Sequence, residues 1–501
     1  MSLTRNLVAN YLGQAWAAFM ALAFLPLYVR LLGVEALGLI GIFVLLQSWL
    51  VLLDLGMTPT VNREMARFTA GGHTPQSIRD LLRTVEVVCL LLASLIALVV
   101  WGASGYLAHQ WLRAENLPVD VVRQALGLMG VVVALRFCES IYRGALLGLQ
   151  RHVYYNGVNA LLATLRYIGA IGVLMFVSPT IWAFYLWQAA MSVVTVAVLA
   201  AAVHGSLPAA TAPARASRAA LAGVQRFAGG MLAITGLSLL VSQTDKLLLS
   251  RLLTLEDFGY YTLAATVAGG LGMAVAPIMQ SFYPRLVALV TTGDEIRLSD
   301  TYHQGSQLVA VTTSAAMLVL TMFPHGVVWA WSGDPQLAAQ TAPLLLPLAF
   351  GAFLNALMWM PYQLQLAHGW TGLTIRINTA AVAVITPAIL WLVPAYGARA
   401  AAWIWVALNS AYVLVGIQLM HRRVLRGQKG RWYLRDVAAP VASATLVGLL
   451  LARLAPQPEA DRLFWLAFLC FVGAATALTA LLCAGTLRPR AFMLLRRLSP
   501  S

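Results

Sequence analysis

Arg30-Leu31-Leu32-Gly33-Val34-Glu35-Ala36-Leu37-Gly38 returns 221 residues later as Arg251-Leu252-Leu253-Thr254-Leu255-Glu256-Asp257-Phe258-Gly259, with Arg, Leu, Leu, Glu and Gly in register. Each copy sits where one long apolar run ends and another begins: 11–32 and 37–56 flank the first, 227–249 and 258–283 the second. Roughly 20 apolar residues cross the ~30 Å hydrocarbon of a bilayer as a helix. Working outward, further runs of that length lie at 82–106, 122–147, 155–177 and 180–203, then at 304–323, 341–366, 374–394 and 400–420, and finally at 436–455 and 463–484. Their length and Ala/Leu content favour helix over strand, and burial in lipid requires each span to satisfy its own backbone. The sequence therefore predicts an all-α polytopic membrane protein with about 14 transmembrane helices, grouped six, six and two. Six spans separate the two copies, an even number, so the repeated halves share one orientation and form two parallel six-helix lobes plus a C-terminal pair. The expected boundaries are an N-lobe at 1–203, a linker at 204–226, a C-lobe at 227–421, and 422–501 for the last two spans and a basic tail.

Composition agrees. The 501 residues are 60% hydrophobic and 10% charged, with mean hydropathy +0.79, whereas soluble domains carry about 25% charged residues. The net charge of +15 would suggest nucleic acid in a soluble protein. Here the basic residues instead fall in alternate loops: Arg63, Arg67, Arg79 and Arg83, then Arg143 and Arg151, then Arg215, Arg218 and Arg226, and later Arg422, Arg423, Arg426 and Arg435 with the tail. The positive-inside rule places those loops and both termini in the cytoplasm, and removes any need for a nucleic-acid partner. Tyr11–Leu32 is too long for a signal-peptide core and is expected to stay as the first span. Cys89, Cys138, Cys470 and Cys483 lie in apolar runs without metal-ligand spacing and are expected to be small buried hydrophobes, with no metal and no cofactor implied.

Charge inside a span costs at least about 2.5–3.5 kcal/mol and needs a partner or a wet cavity. Arg136, Glu139 and Arg143 recur at i, i+3 and i+7 on one helical face, and Asn156, Asn159 and Arg166 share a stripe on the next span. Asp54 lies near one end of the second span, and Asp245 and Lys246 near one end of the seventh. The functional reading is a hydrated, net-cationic cavity in which Arg136, Arg166 and Lys246, with Glu139 and Asn159, receive an anionic head group, since a guanidinium fork matches phosphate or carboxylate oxygens. Asp54 and Asp245 would then be candidates for ion coupling. The bland reading pairs Arg136 with Glu139 and Lys246 with Asp245, and lets Arg143 snorkel to the interface. It makes Asp54 a helix-end carboxylate. For Arg166 the functional reading is preferred, because its own helix offers no carboxylate. The histidines lie near span ends, with His303 opening a span, and no Ser-His-Asp order, HExxH or paired-aspartate motif occurs.

LPLYVRLLGVEALGLIGIF at 25–43, DLGMTPTVNREMAR at 54–67, YRGALLGLQRHVYYNGVNALLATLRYIGA at 142–170, TDKLLLSRLLTLEDFGYYTLA at 244–264 and MAVAPIMQSFYPRL at 273–286 resemble the O-antigen flippases and related polysaccharide exporters of the MOP superfamily. The resemblance runs to roughly residue 420. It implies the MATE-like MOP fold and alternating access. The implied cargo is an undecaprenyl-diphosphate-linked oligosaccharide, moved across a bacterial inner membrane in company with the bilayer and polysaccharide assembly proteins. It also implies that Arg136, Arg166 and Lys246 could meet that cargo, and the extra C-terminal pair resembles the lipid II flippase branch. A MATE-type small-molecule exporter is the main alternative, although its lumen carboxylates contrast with the basic excess here. A membrane glycan polymerase or ligase would want a sizeable external loop, and the longest, around 107–121, is short. A passive scaffold in an export complex remains a third alternative, which the embedded charges disfavour.

Overall fold

The computed structural model describes residues 3–54, 57–69, 71–209, 212–216, 236, 239–240, 243–370, 372–457 and 460–488. Among them every regular element is helical. The chain divides into two compact units, 1–259 and 260–501.

In the first unit α1 (Leu3–Leu32) ends at Gly33, whose φ of +83° only glycine adopts without strain. Then come α2 (Val34–Leu53), α3 (Met57–Thr69), α4 (Pro75–Tyr106), α5 (Val119–Gly148), α6 (His152–Phe176), α7 (Ile181–His204) and α8 (243–252). α4 starts at a capping box, in which Thr74 accepts from the Ser77 N–H and Ser77 returns the bond, with Pro75 in the first turn. In the second unit α9 (Leu255–Thr292), which begins in the first, is followed by α10 (Glu295–Met322), α11 (Pro324–Ser332), α12 (Pro335–Leu357) and α13 (Trp359–Ala367). After them come α14 (Gly372–Tyr396), α15 (398–421), α16 (429–452) and α17 (Arg462–Cys483). A break at Met358 puts Pro361 in the first turn of α13, where its missing N–H leaves no intrahelical bond unmade.

Twelve helical stretches among the described residues are long and apolar enough to cross a membrane. The second expected span is α2, with a shorter apolar stretch, Val34–Leu50. The seventh, 227–249, lies largely outside the described residues. Several helices overrun their apolar cores: the run expected at 82–106 begins at Pro75, and that at 436–455 begins at Lys429. Outward faces carry large apolar side chains such as Leu91, Leu98, Phe176 and Trp391, which suits a hydrocarbon solvent. Cys470 and Cys483 belong to these exposed faces, a correction to the expectation of four buried cysteines. α17 offers only one stripe to its neighbours, so residues off that stripe face outward whatever their polarity.

The two copies of the repeated stretch meet inside the first unit. A Cβ on Gly38 would collide with the Leu255 carbonyl, and one on Gly259 would lie 2.6 Å from the Val34 carbonyl. Val34 and Leu255 occupy equivalent places, as do Gly38 and Gly259, so the contact is reciprocal: the first turns of α2 and α9 lie against each other with only hydrogen between the backbones. The connection after α4 straps both copies. Glu35 accepts from the backbone N–H groups of Glu115, Asn116 and Leu117 at 2.7–2.8 Å, the Leu255 N–H donates to the Arg113 carbonyl, and Arg251 stacks on Trp111 at 5.1 Å.

α3 escapes a search for spans because it is too short and too polar to be one. Its Met57, Val61 and Met65 recur every four residues and are buried together with Thr60 and Glu64, the stripe of an amphipathic helix. That stripe lies on α5 at Gly144 and Gly148, spaced four apart. A Cβ at Gly144 would stand 2.9 Å from the Thr58 carbonyl, and one at Gly148 would strike that of Asn62. Glu64 gathers Arg63 at 2.7 Å and Arg67 at 2.9 Å within α3, and His73 beyond it at 2.7 Å. Burial by itself would raise the Glu64 carboxyl, but the His73 and Arg63 hydrogen bonds and the two arginine charges hold it below its ordinary 4.5. A carboxyl lowered by folding adds stability above its unfolded value and loses it as pH falls through the folded one. Glu64→Gln is therefore expected to cost roughly 1.5–3 kcal/mol at neutral pH and much less in acid. Tryptic cleavage after Arg67, followed against pH, checks this; equal protection of both proteins at pH 7 would refute it.

Candidate functional site

The embedded charges of α5 converge on a cavity of about 350 Å³ in the first unit, lined by Gln47, Asp54, Thr58, Arg136, Glu139 and Arg143 among others. α5 supplies the polar wall because positions 136, 139, 140 and 143 fall on one face. α2 brings Gln47, Asp54 follows its last residue, and the start of α3 closes the cavity.

Asp54 caps α3. Its carboxylate accepts the Thr58 N–H at 3.1 and 3.2 Å and the Thr58 hydroxyl at 2.7 Å, satisfying donors that a helix N-terminus leaves free. The Thr58 hydroxyl also lies 3.2 Å from that of Ser140, which ties α3 to α5 at the cavity wall. The geometry thus gives Asp54 the helix-end role directly.

Arg136 is not paired with Glu139 by an ion pair. Glu139 reaches instead to α6, where its Oε2 is 3.7 Å from Arg166 Nη2. The same Nη2 donates to Thr195 Oγ1 of α7 at 3.0 Å, and the Arg166 carbonyl accepts from the Trp187 indole at 3.0 Å. Arg166, 7% exposed, is therefore a buried tie among α5, α6 and α7, set behind Glu139 and outside the cavity lining. Its own helix holds no carboxylate, as the sequence indicated; the neighbouring helix supplies one.

With Glu139 turned to Arg166, the Arg136 Nε is buried without a hydrogen-bond acceptor among the described residues, and so is the Gln47 amide nitrogen. Arg143, which is exposed, adds a second guanidinium to the wall. Asn159 is half-buried on α6 and lies outside the lining, as do half-buried Asp245 and Lys246 on α8. Of the sequence candidates, the cavity brings together Asp54, Arg136 and Glu139, reaches Arg166 through Glu139, and leaves Asn159, Asp245 and Lys246 apart. Thr58 and Ser140 were missed, since a hydroxyl in a span costs little and so carries no signal. No cluster of three or more His, Cys, Asp or Glu suited to a metal occurs among the described residues.

Two of the buried, unmatched groups in its lining, the Arg136 Nε and the Gln47 amide nitrogen, are donors, and the third, Glu139 Oε2, has the Arg166 charge 3.7 Å away, so the wall can receive oxygen atoms. A buried donor without a partner costs about 1–3 kcal/mol, and an anionic oxygen seated there would remove that penalty.

The profile of the polysaccharide biosynthesis protein family matches residues 3–290. A Shigella flexneri protein named "Putative O-antigen transporter" is 20% identical over 415 residues, which cover 81% of this chain and 94% of the relative. Among solved structures, the lipid II flippase MurJ in its inward closed conformation aligns with a TM-score of 0.67 at 9% identity, covering 94% of this chain and 97% of its own. An inward-facing multidrug resistance MATE family transporter of the MOP superfamily aligns with a TM-score of 0.63 at 13% identity, covering 84% and 96%. At such identities the two structures speak to the fold.

Proposed function

Because this chain belongs to the polysaccharide biosynthesis protein family, we propose that it is a flippase whose cargo is an undecaprenyl-diphosphate-linked glycan unit, carried across a bacterial inner membrane by alternating access. Both termini are cytoplasmic in this reading, following the arginine-rich alternate loops. Diphosphate oxygens of the cargo meet Arg136 and Arg143 at the cavity wall while the prenyl chain stays in lipid. Asp54 keeps α3 in place, Arg166 and Glu139 hold the wall behind, and Lys246 and Asn159 await cargo from other positions.

The observation that carries the reading is the Arg136 side chain: it lines the cavity, and its Nε lacks an acceptor among the described residues. A guanidinium in that condition favours an anion over a cation, which weighs against a cation exporter on the same fold. Arg136→Ala removes a charge-assisted hydrogen bond worth roughly 1.5–3 kcal/mol, so translocation of a lipid-linked oligosaccharide in proteoliposomes is expected to fall about 10- to 100-fold. Arg136→Lys should recover part of it, as a point charge without the fork. Wild-type rates in a well-folded Arg136→Ala protein would remove the cavity from the mechanism. Efflux of small cations without movement of any anionic glycolipid would replace the proposed function with an exporter's.

A further inference from the structure

The second unit buries a carboxylate and an imidazole together, one from each of two helices. Asp436 and His303 are each fully buried. His303 is the ninth residue of α10, just ahead of the apolar run expected at 304–323. Its Nδ1 makes a short contact with Asp436 Oδ2, while the Asp436 Oδ1 accepts from Gln307 Nε2 at 2.9 Å. The orientation of Gln307 is fixed by chemistry, because its Oε1 accepts the Thr486 backbone N–H at 2.9 Å and a main-chain N–H can only donate. Asp436 Oδ1 is thereby held as an acceptor, and the remaining proton of the pair belongs to the Oδ2–Nδ1 contact.

The other imidazole nitrogen looks outward. His303 Nε2 lies 3.3 Å from Gln428 Oε1, and Gln428 lines a pocket of about 710 Å³ together with Glu295, Asp300, Arg423 and Arg431. As oriented, both ring nitrogens face acceptor oxygens, the pattern of an imidazolium. A half-turn of the Gln428 amide would present N–H to a neutral ring instead, so the same contacts serve either protonation state. Asp436 sits in a π-helical turn, 432–438, a local irregularity that recurs at functional positions.

We propose that His303 and Asp436 form a proton-binding site, filled from the pocket through Gln428, whose occupancy couples cargo movement to a proton gradient. The coupling half rests on the transport function proposed above. The step is a proton transfer alone: a hydronium ion in the pocket gives its proton to His303 Nε2 and is left as water, and the pair passes from a lone carboxylate beside a neutral ring to a neutral ion pair. Release runs in reverse. Asp436 belongs to α16 and His303 to α10, so occupancy sets how firmly the C-terminal spans are held to α10. An uncompensated carboxylate at zero exposure is far costlier than an ion pair there. The other titratable groups beside the dyad are Tyr302 on α10 and His421 at the end of α15, with Tyr433 and Lys429 of α16 next to those two in turn. Arg431 at the pocket rim is engaged 3.8 Å from Asp300.

Two readouts test it on the full-length protein. Proton uptake by the purified chain in detergent, followed with a soluble pH indicator from alkaline to acid pH, is expected to be a proton per chain smaller in Asp436→Asn or His303→Gln than in wild type. Gln428→Leu leaves the dyad intact and is expected to slow that uptake without changing its extent. In proteoliposomes, a gradient of one pH unit should shift the steady-state distribution of glycolipid by up to about tenfold in wild type, and in Asp436→Asn the cargo should only equilibrate. Equal proton uptake by wild type and a folded Asp436→Asn or His303→Gln protein overturns the site, and if neither folds, an unchanged uptake rate in Gln428→Leu does. Retained gradient response in Asp436→Asn overturns the coupling while leaving the flippase intact. A missing proton in Asp436→Asn, with no glycolipid moved by wild type, upholds the site and fails the transport function.

Discussion

Glu139→Leu is expected to destabilise the protein by roughly 3–5 kcal/mol, because it leaves the Arg166 guanidinium buried with no countercharge. Arg166 Nη2 is 3.7 Å from Glu139 and hydrogen-bonded to Thr195, so once the carboxylate is gone a lone hydroxyl faces a full charge. The Arg166→Leu/Glu139→Leu pair should regain most of the loss, as buried ion pairs replaced whole by apolar side chains often do. Apparent melting temperature in detergent for the four proteins of the cycle measures this. A single Glu139→Leu protein as stable as wild type would mean that Arg166 finds another partner or reaches water. The cycle also separates stability from transport: a stable double variant that still moves cargo would confine both residues to packing.

The second large effect is expected at Gly148. Leucine there places a side chain where α3 already presents the Asn62 carbonyl, with the Met65 Cβ only 2.8 Å from the first added carbon. Overpacking typically costs 1–3 kcal/mol, and here the obstacle is backbone, which cannot turn aside. α3 should leave α5, taking with it the Thr58–Ser140 contact and the floor of the cavity. A cysteine in place of Met65, in a background lacking the native cysteines, is expected to resist a water-soluble maleimide in the parent and to react in the Gly148→Leu protein. Equal protection in both would show that α3 adapts in place. Gly148→Ala should lie between, since the first added carbon already meets the carbonyl.

These two sites mark where sequence reasoning succeeds and where it stops. The spans were legible because their apolar length is itself the physical requirement. The cavity wall was partly legible, since Arg136, Glu139 and Arg143 repeat with the period of a helix and are costly in lipid. The partner of Glu139 was not: residues 139 and 166 lie on different helices, and a period within one helix says nothing about which faces meet. α3 was passed over because it is short and polar enough to look like a loop, although Met57, Val61 and Met65 keep its period and Gly144 and Gly148 mark its bed. His303 and Asp436 stand 133 positions apart, each at the polar edge of an apolar run where a charge looks solvated. Helices that continue beyond their apolar cores brought both inside.

The reciprocal seating of Gly38 on Leu255 and of Gly259 on Val34 has the symmetry of a homodimer interface, in which one patch serves as its own partner. Such a surface can be altered only in step with itself. A bulkier residue at either glycine meets a carbonyl contributed by the other copy, and relief must come from that other copy, 221 positions away in the chain. The two nine-residue stretches are thereby bound as co-varying halves of one joint. Exchanging them, so that each copy stands in the other's place, is a rearrangement the joint should accept more readily than a single methyl group at either glycine.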